Sequence, residues 1–280
     1  MQDATTQGAA TLLEFSRRHR RLAVLSGAGL STGSGIPDYR DENGEWKHKQ
    51  PLQYADFIAS DLERRRYWAR SFAAWDRFRY ARPNGAHTAI AALQRAGRIS
   101  CLITQNVDDL HRAAGSRDIV DLHGVLNRVR CLGCGAVSRR QRMQQRLRNL
   151  NSNWAATVRA HAPDGDAILE NADYARFKVP SCSRCQGVLK PDVVFFGEAV
   201  PAERVRSASE RLARCDALLV VGSSLMVWSG YRFVKKACES GQPVAIVNRG
   251  RTRADDMAAI RIHADCGTLL PGLARQLGAI

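Results

Sequence analysis

Short apolar runs alternate with helical patterns along most of this chain, and that alternation restricts its fold more than any other feature. Runs of this composition are typical of strands buried on both faces of a sheet. They are Leu22–Leu25, Cys101–Thr104, Ile119–Leu122, Val193–Phe196, Ala217–Val221 and Val244–Val247. The helical patterns are Ala10–Arg18, Ala86–Ala96, Ala202–Arg214 and Tyr231–Ser240. Because strands that alternate with helices form parallel sheets, the sequence predicts an α/β fold, a Rossmann-like parallel sheet with helices on both faces.

Two segments do not follow the alternation, and we expect them to build a smaller zinc-binding and helical domain on the sheet. Residues 47–83 are helical in pattern and rich in aromatic residues and arginine, whereas residues 131–187 begin and end close to a pair of cysteines. The sheet domain then comprises residues 1–46, 84–130 and 188–280. A chain of 280 residues, 45% of them hydrophobic, is long enough for one large and one small unit.

Four of the eight cysteines form two Cys-x-x-Cys pairs, and these predict a zinc site. The pairs are Cys131 with Cys134 and Cys182 with Cys185, each in a turn-like setting near a glycine. Four thiolates suit tetrahedral zinc and leave no open position for catalysis. We therefore expect one structural Zn²⁺ that holds the small domain together. Four unrelated buried thiols, or a redox dithiol, are the alternatives.

Polar motifs follow the carboxyl ends of five predicted strands. In chain order they are Gly27, Gln105-Asn106, His123, Gly222-Ser223-Ser224 and Asn248. Parallel α/β sheets bind ligands in the crevice outside the carboxyl ends of their strands. The five motifs therefore predict one shared site.

The stretch from Leu25 to Arg40, "LSGAGLSTGSGIPDYR", is similar to a phosphate-binding loop. Gly27 and Gly29 would let backbone amides approach a pyrophosphate, and a helix that starts there would favour negative charge. Thr32 stands where the dinucleotide template has its third glycine, and no strand-ending carboxylate for a ribose follows about 20 residues later. Alone, the loop predicts either a phosphate site or a tight structural turn.

Two further motifs sharpen the prediction. Gln105, Asn106 and Asp108 place amides and a carboxylate at a strand end, where they can bind a ribose, a carboxamide and a water molecule. His123 could act as a general base on a sugar hydroxyl, or it could be a buried imidazole with a purely structural role. His111 lies on the helix that follows the strand, and we expect it to be peripheral.

Seven motifs in one order extend the likeness to most of the chain: "GAGLSTGSGIPDYR", "TQNVDDLH", "LHG", the two cysteine pairs, "PDVVFFGE", "GSSLMV" and "VNRG". From about residue 20 to 270 the chain resembles a sirtuin, an NAD-dependent protein-lysine deacylase. It is most similar to the class II branch, through "RYWAR", "APDGD", "KPDVVFFGE" and "SGYRF". The resemblance implies two bound groups, NAD and one zinc ion, and an acyl-lysine protein or peptide as substrate.

The resemblance also implies a role for each matching residue. In this family the NAD is bound in a bent conformation. Residues expected to bind it are Gly27, Ala28, Gly29, Ser31, Thr32, Ile36, Pro37, Asp38, Tyr39, Arg40, Trp46, Gln105, Asn106, Asp108, Gly222, Ser223, Ser224, Asn248, Arg249 and Cys266. His123 and Asn106 are expected to be catalytic. Val193, Phe195, Gly197 and Glu198 would add as a strand to the substrate peptide.

The implied reaction breaks the bond between nicotinamide and ribose. The acyl oxygen of the modified lysine attacks the electron-poor C1′, and His123 then deprotonates a ribose hydroxyl. The products are free lysine and an O-acyl-ADP-ribose. Enclosure by Tyr39 and Trp46 would limit premature hydrolysis.

The residues leave two interpretations of the preferred acyl group open. Tyr67 and Arg70 stand one helical turn apart and can share a face. They resemble the pair that grips an acidic acyl group in desuccinylating sirtuins, and an arginine–carboxylate contact is charge-assisted. A surface arginine on an arginine-rich helix is the alternative.

The formal charge of +15 fits either solvated arginine-rich helix faces or attraction to acidic partners. The arginines are scattered along the chain, so specific binding of nucleic acid is not expected. No run is long and apolar enough for a membrane span, and the N-terminal stretch has no signal core, so we expect a cytoplasmic protein. Mono-ADP-ribosyl transfer and a non-enzymatic, basic, zinc-containing nucleic-acid module are the competing functions.

Overall fold

The computed structural model describes residues 2–47, 51–161 and 166–280, with side chains from residue 6 onward. Its strands, in chain order, are β1 (Leu22–Ser26), β2 (Ile99–Thr104), β3 (Ile119–Asp121), β4 (Gly124–Cys131), β5 (Val137–Arg139), β6 (Thr157–His161), β7 (Ala167–Glu170), β8 (Leu189–Val193), β9 (Ala217–Val221), β10 (Val244–Val247) and β11 (Ile260–Ile262). Its α-helices are α1 (Gln2–Arg18), α2 (Tyr54–Ala59), α3 (Asp61–Tyr80), α4 (Gly85–Arg95), α5 (Leu110–Ala113), α6 (Arg140–Leu150), α7 (Ala202–Leu212), α8 (Trp228–Glu239) and α9 (Cys266–Gln276). In the described part of the chain, none of these helices has the length and apolarity needed to cross a membrane.

Six parallel strands form the main sheet, in the order β11-β10-β9-β1-β2-β3. The chain starts in the middle, builds outward through β2 and β3, and then returns to β9 beside β1. This is the order of doubly wound dinucleotide-binding folds, and it leaves a crevice where the direction reverses, between β1 and β9. The predicted Rossmann-like sheet is confirmed.

The sheet is covered on both faces because its strands direct apolar side chains to both sides. In β1, Leu22 and Val24 face one side, where α1, α4 and α9 supply Leu12, Ile90 and Leu270 among others. Ala23 and Leu25 alternate to the other face and pack into a second core with α7 and α8. Because successive side chains of a strand point to opposite faces, one short strand contributes to both cores.

Two strand predictions need correction. The run Val193–Phe196 is not a strand of the parallel sheet. The strand there, β8, ends at Val193 and pairs antiparallel with β4 in a separate sheet of order β5-β4-β8. The edge strand β11, which pairs parallel with β10, was not predicted.

A smaller module is built from α2, α3, α6 and the strands β4 to β8. Its core holds Phe57, Trp68, Met143 and Phe177, all buried. Ser60 caps α3 by accepting a hydrogen bond from the Glu63 amide, which satisfies one of the free amides of the first turn. The segment "APDGD", on which part of the class II likeness rests, begins in residues 162–165, outside the described residues.

Candidate active site

A cavity of about 960 Å³ opens beside the carboxyl ends of β1, β2 and β9, at the point where the strand order reverses. Apart from the four cysteines, every residue predicted for the site lines this cavity except Arg70. The lining set is Gly27, Ala28, Gly29, Ser31, Thr32, Ile36, Pro37, Asp38, Tyr39, Arg40, Trp46, Tyr67, Gln105, Asn106, Asp108, His123, Val193, Phe195, Gly197, Glu198, Gly222, Ser223, Ser224, Asn248, Arg249 and Cys266. The convergence follows from the sheet, because parallel strands end at one edge.

The loop after β1 forms two short 3₁₀ turns, Ala28–Leu30 and Thr32–Ser34. The helix expected to start here is therefore not an α-helix but these two single-turn 3₁₀ helices. Thr32, at the position of the missing third glycine, donates its hydroxyl to the Gly29 carbonyl at 3.0 Å. This hydrogen bond stabilises the turn, so a third glycine is not needed.

The two glycines of this loop serve a contact between loops. The amides of Gly27 and Gly29 donate to the carbonyls of Val221 and Gly222, at 3.0 and 2.8 Å. A Cβ on Gly27 would lie 2.7 Å from the Cβ of Ser223, and one on Gly29 would lie 3.0 Å from the Gly222 carbonyl oxygen. Both amides thus donate to carbonyls of the protein itself. The two glycines allow the loops after β1 and β9 to make close contact where the strand order reverses.

A buried polar network follows β2. The Asn106 side-chain amide donates to the Gly27 carbonyl (3.0 Å) and to the Ser31 hydroxyl (3.1 Å). The Ser31 hydroxyl donates in turn to Asp108 at 2.6 Å, and the Leu110 amide donates to the other carboxylate oxygen at 2.9 Å. Burial raises the pKa of Asp108, while these two hydrogen bonds oppose the rise. The carboxylate is thereby held at the floor of the cavity.

His123 has a defined tautomer. Its Nδ1 lies 2.9 Å from the Gln105 carbonyl oxygen, which can only accept, so Nδ1 carries the proton. Nε2 is then the unprotonated nitrogen, and it accepts a hydrogen bond from the Ser229 hydroxyl at 2.7 Å. Desolvation lowers the pKa of His123 to about 4, against the opposing effect of the Gln105 carbonyl. At neutral pH the ring is neutral and has a basic nitrogen beside the cavity.

Two further histidines are buried under the loop after β1. His111 was expected to be peripheral; it does not line the cavity, yet it is buried, with Nε2 2.8 Å from the Ser26 hydroxyl. His87 caps α4 together with Asn84, and its ring lies 5.0 Å from that of His111. Burial lowers the pKa of His87 to about 4 and that of His111 to about 3. Both are neutral packing groups at neutral pH.

Aromatic rings close one side of the cavity. Tyr39, Trp46 and Phe196 contact one another edge to face, with centroids 5.5 to 6.3 Å apart. The Arg40 guanidinium lies 4.0 Å from the Trp46 ring centroid and donates to the Gly44 carbonyl at 2.6 Å. The segment from Tyr39 to Trp46 is thus a self-bonded hairpin whose aromatic side chains face the ligand space.

The segment that follows β8 is held by its neighbours. The Val194 amide donates to the His123 carbonyl at 2.8 Å, and the Tyr54 amide donates to the Phe196 carbonyl at 2.8 Å. Glu198 accepts from the Phe195 amide at 2.8 Å and forms an ion pair with the buried Lys190 at 2.9 Å. Sequence reasoning missed Lys190, whose only signal was its place one residue before "PDVVFFGE".

Tyr67 and Arg70 separate in the structure. Tyr67 lines the cavity and packs against Phe195, with ring centroids 5.2 Å apart. Arg70 does not line it: its Nε donates to the Ala167 carbonyl at 2.9 Å and lies 3.8 Å from the Asp166 carboxylate. The predicted pair for an acidic acyl group is therefore not assembled, because β7 holds the arginine.

The four paired cysteines come together as predicted. Their sulfur atoms all lie within 4.8 Å of one another, with Cys131 and Cys185 at 3.4 Å and Cys134 and Cys182 at 3.8 Å. Zinc–sulfur bonds of about 2.3 Å in a tetrahedron need sulfur atoms about 3.8 Å apart, so the donor set fits Zn²⁺. Gly133 and Gly187 pack beside these sulfur atoms, where a Cβ would lie 3.2 to 3.3 Å from the nearest sulfur.

Comparison with known proteins gives one consistent result. The family model described as Sir2 family matches residues 27–229. NAD-dependent protein deacetylase 2 of Bradyrhizobium diazoefficiens is 54% identical over 260 residues, which cover 93% of this chain and 95% of that protein. The bovine protein NAD-dependent protein lipoamidase sirtuin-4, mitochondrial, is 48% identical over 263 residues, which cover 93% of this chain and 84% of that protein.

A solved structure of Sir2 with a p53 peptide and NAD⁺ has the same architecture. It superimposes with a TM-score of 0.75 at 29% identity, and the match covers 96% of this chain and 98% of that one. The match therefore includes both the sheet and the small module.

Proposed function

The chain belongs to the Sir2 family, and from that premise we propose the reaction of its cavity: NAD-dependent removal of acyl groups from protein lysine side chains, with nicotinamide and O-acyl-ADP-ribose as the other products. One observation carries the proposal most strongly. The unprotonated Nε2 of His123 lies in the same cavity as the Asn106–Ser31–Asp108 network, where the strand order reverses. A basic nitrogen at this position can take the proton of a ribose hydroxyl, as the proposed reaction requires.

The donor set fits NAD. The volume of the cavity is at the upper end of the sizes typical of ligand pockets, and its lining includes Ile36, Asn106, Asp108, Asn248 and Arg249. Ala28 and Thr32 would face the pyrophosphate, while Asn106 and Asp108 would face the ribose and carboxamide of the nicotinamide half. When bound, NAD supplies an electrophilic ribose carbon to the acyl oxygen of the substrate.

His123 would take a proton from a ribose hydroxyl at Nε2. The Gln105 carbonyl orients the ring and stabilises the protonated form, because it already accepts from Nδ1. The Ser229 hydroxyl, now bonded to Nε2, must give way to the ribose hydroxyl or rotate to accept from it. Tyr39, Trp46 and their aromatic contacts would exclude water while the ribose carbon is reactive.

The substrate lysine would enter between the segment after β8 and the loop after β9, both of which line the cavity. Val193, Phe195, Gly197 and Glu198 would pair with the peptide main chain. Their backbone is positioned by His123 and by the Lys190–Glu198 ion pair. A peptide held there would pass its lysine side chain toward the base.

For the acyl group we propose an uncharged chain, including longer ones, over a dicarboxylic one. The small module lines its part of the cavity with Leu52, Tyr67 and Phe78, and Phe195 faces them. Arg70 is engaged elsewhere. The likeness to the bovine lipoamidase supports this preference and the class II placement. The cytoplasmic location and the domain boundaries given above remain predictions.

The test is mass spectrometry of the protein with NAD and acyl-lysine peptides carrying acetyl, longer acyl, lipoyl, succinyl or glutaryl groups. O-acyl-ADP-ribose and free lysine peptide are the expected products, with the uncharged acyl groups preferred. His123→Ala should abolish turnover, whereas His19→Ala, on a histidine outside the cavity lining, should not. A mass gain of ADP-ribose on an acceptor protein, with no deacylated peptide, would support ADP-ribosyl transfer instead.

A further inference from the structure

The end of the cavity beyond His123 is rimmed by two arginines that have no acidic partner. Arg206 lies on α7 and Arg232 on α8, and both line the cavity. In the described part of the chain neither forms an ion pair, and the Nε of Arg232 is buried with no hydrogen-bond partner. A buried guanidinium nitrogen without a hydrogen bond costs free energy. We therefore expect a bound group to supply the missing acceptor at this end of the cavity.

Other arginines around the cavity have partners within the protein. Arg204, on the same helix as Arg206, lies 3.8 Å from the buried Asp192 carboxylate. At the opposite end of the cavity Arg249 pairs with Asp265 at 2.9 Å. Arg40 also lines the cavity without an ion pair, but its guanidinium covers the Trp46 ring and donates to the Gly44 carbonyl.

Apolar surface accompanies this charge. Trp228 is 49% exposed and Val227 37% exposed, and both line the cavity at the start of α8. The Arg232 guanidinium lies 6.0 Å from the Trp228 ring. Exposed aromatic and aliphatic side chains beside unpaired arginines are typical of a surface that binds a peptide.

We infer that this rim, formed by Arg206, Val227, Trp228 and Arg232, selects lysine substrates that carry an acidic residue close in sequence to the modified lysine. The inference rests on the proposed function and adds the class of substrate. Val227 belongs to the loop after β9, and the substrate lysine would enter the cavity beside this loop. We therefore assign the anion to the lysine-bearing chain. Since α7 and α8 both begin at this rim, their dipoles add to the attraction.

The test uses acyl-lysine peptides that differ only in one residue, Asp or Asn, placed in turn at each of the three positions before and after the lysine. For the wild-type protein, kcat/KM should be about three- to tenfold higher for Asp than for Asn at one or two positions, mostly through KM. The preference should weaken at high salt because the rim is partly exposed. Double substitution, Arg206→Gln with Arg232→Gln, should bring the ratio close to one.

Arg214→Gln is the matched control, because Arg214 follows the same helix α7 without lining the cavity. It should retain the wild-type ratio. Charge reversal at Arg206 (Arg206→Glu) should shift the preference toward a peptide with lysine at the selected position.

Three results would overturn the inference: equal turnover of the Asp and Asn peptides by the wild type, an equal loss for both peptides in the double variant, or the same change in Arg214→Gln. Selective loss of succinyl-lysine turnover in the double variant would instead assign the arginines to the acyl group. If no peptide is turned over, the proposed function fails. The preference is then still decided by fluorescence anisotropy of the same labelled peptides without NAD.

Discussion

Gly124 links the base to the substrate segment, and replacing it by alanine tests whether their relative position limits the reaction. The residue has a φ of +81°, and a Cβ there would lie 2.0 Å from the Asp192 carbonyl oxygen and 3.1 Å from the Val193 Cα. Real Cβ contacts do not fall below 3.0 Å, so the start of β4 would have to separate from β8 by about 1 Å. Because the opposing atoms belong to a paired backbone, no side-chain rotation can relieve the clash.

Gly124→Ala should lower both the free energy of unfolding and kcat. An alanine in the left-handed region costs about 1–2 kcal/mol, and forced repacking adds about 1–3 kcal/mol, so the free energy of unfolding should fall by roughly 2–5 kcal/mol. His123 directly precedes Gly124, and its carbonyl accepts the Val194 amide at 2.8 Å. Since a displacement of about 1 Å can reduce a rate roughly 100-fold, kcat should fall by about that factor in the molecules that remain folded.

The assay is kcat and KM for the preferred acyl-peptide, scaled by the folded fraction from urea unfolding at the same temperature. Gly241→Ala is the matched control. Gly241 has a similar φ of +71° with nothing within 4 Å of the added Cβ. Gly241→Ala should therefore lose only the stability that an alanine costs in the left-handed region, and its kcat should not change. A folded Gly124→Ala protein with kcat within about threefold of wild type would refute the coupling between this glycine and the base.

Four further outcomes are expected. Because the pKa of His123 is lowered to about 4, its neutral form persists well below pH 6.5, and the acid limb of kcat/KM should lie below about pH 5; a limb centred near 6.5 would contradict this. The pKa values of His87 and His111 are also lowered, to about 4 and about 3, so the unfolded chain binds more protons than the folded one below pH 6.5. The free energy of unfolding should therefore fall as pH drops from about 6.5 toward 4, and His87→Gln should flatten that slope; an unchanged slope in the variant would exclude His87 as its source. Cys131→Ser should release zinc, measured by metal analysis, and lower the melting temperature, because Cys131 also belongs to the core of the small module; an unchanged zinc content would remove it from the ligand set. Arg70→Ala should destabilise the protein by about 1–2 kcal/mol through the lost contact to β7 and leave the ratio of succinyl to acetyl turnover unchanged; a selective loss of succinyl turnover would restore the acidic-acyl role.

The sheet and its ligand edge were predictable because buried parallel strands have a distinctive composition. Strand β11 was missed because it has three residues and its central one is Arg261, which bonds to Asp255 and to the Asn248 carbonyl. The prediction of a parallel strand at Val193–Phe196 is wrong because a continuous apolar run reveals neither its partner nor its ends: β8 ends at Val193. Only the antiparallel pairing of β8 with β4 separates it from the parallel strands.

The tyrosine–arginine pair on α3 shows where local spacing stops being informative. Helical geometry brings residues three apart near one another, and Tyr67 does reach the cavity. Arg70 is drawn to β7, almost 100 residues later, by the Ala167 carbonyl and the Asp166 carboxylate. Nothing within "YWAR" encodes that competition, since it depends on where an inserted hairpin packs.

The same distinction applies to the catalytic groups. Strand ends converge because the strands are parallel, so the residues gathered in the cavity follow from the order of the motifs. What each of them can do depends on bonds between loops that are distant in sequence. His123 is a base at Nε2 because Gln105, 18 residues earlier, accepts from Nδ1. Nε2 is covered in the free protein because Ser229, in the first turn of α8, lies 2.7 Å away. The sheet thus determines which residues belong to the site, whereas the protonation that makes the site reactive depends on contacts between loops that are distant in sequence.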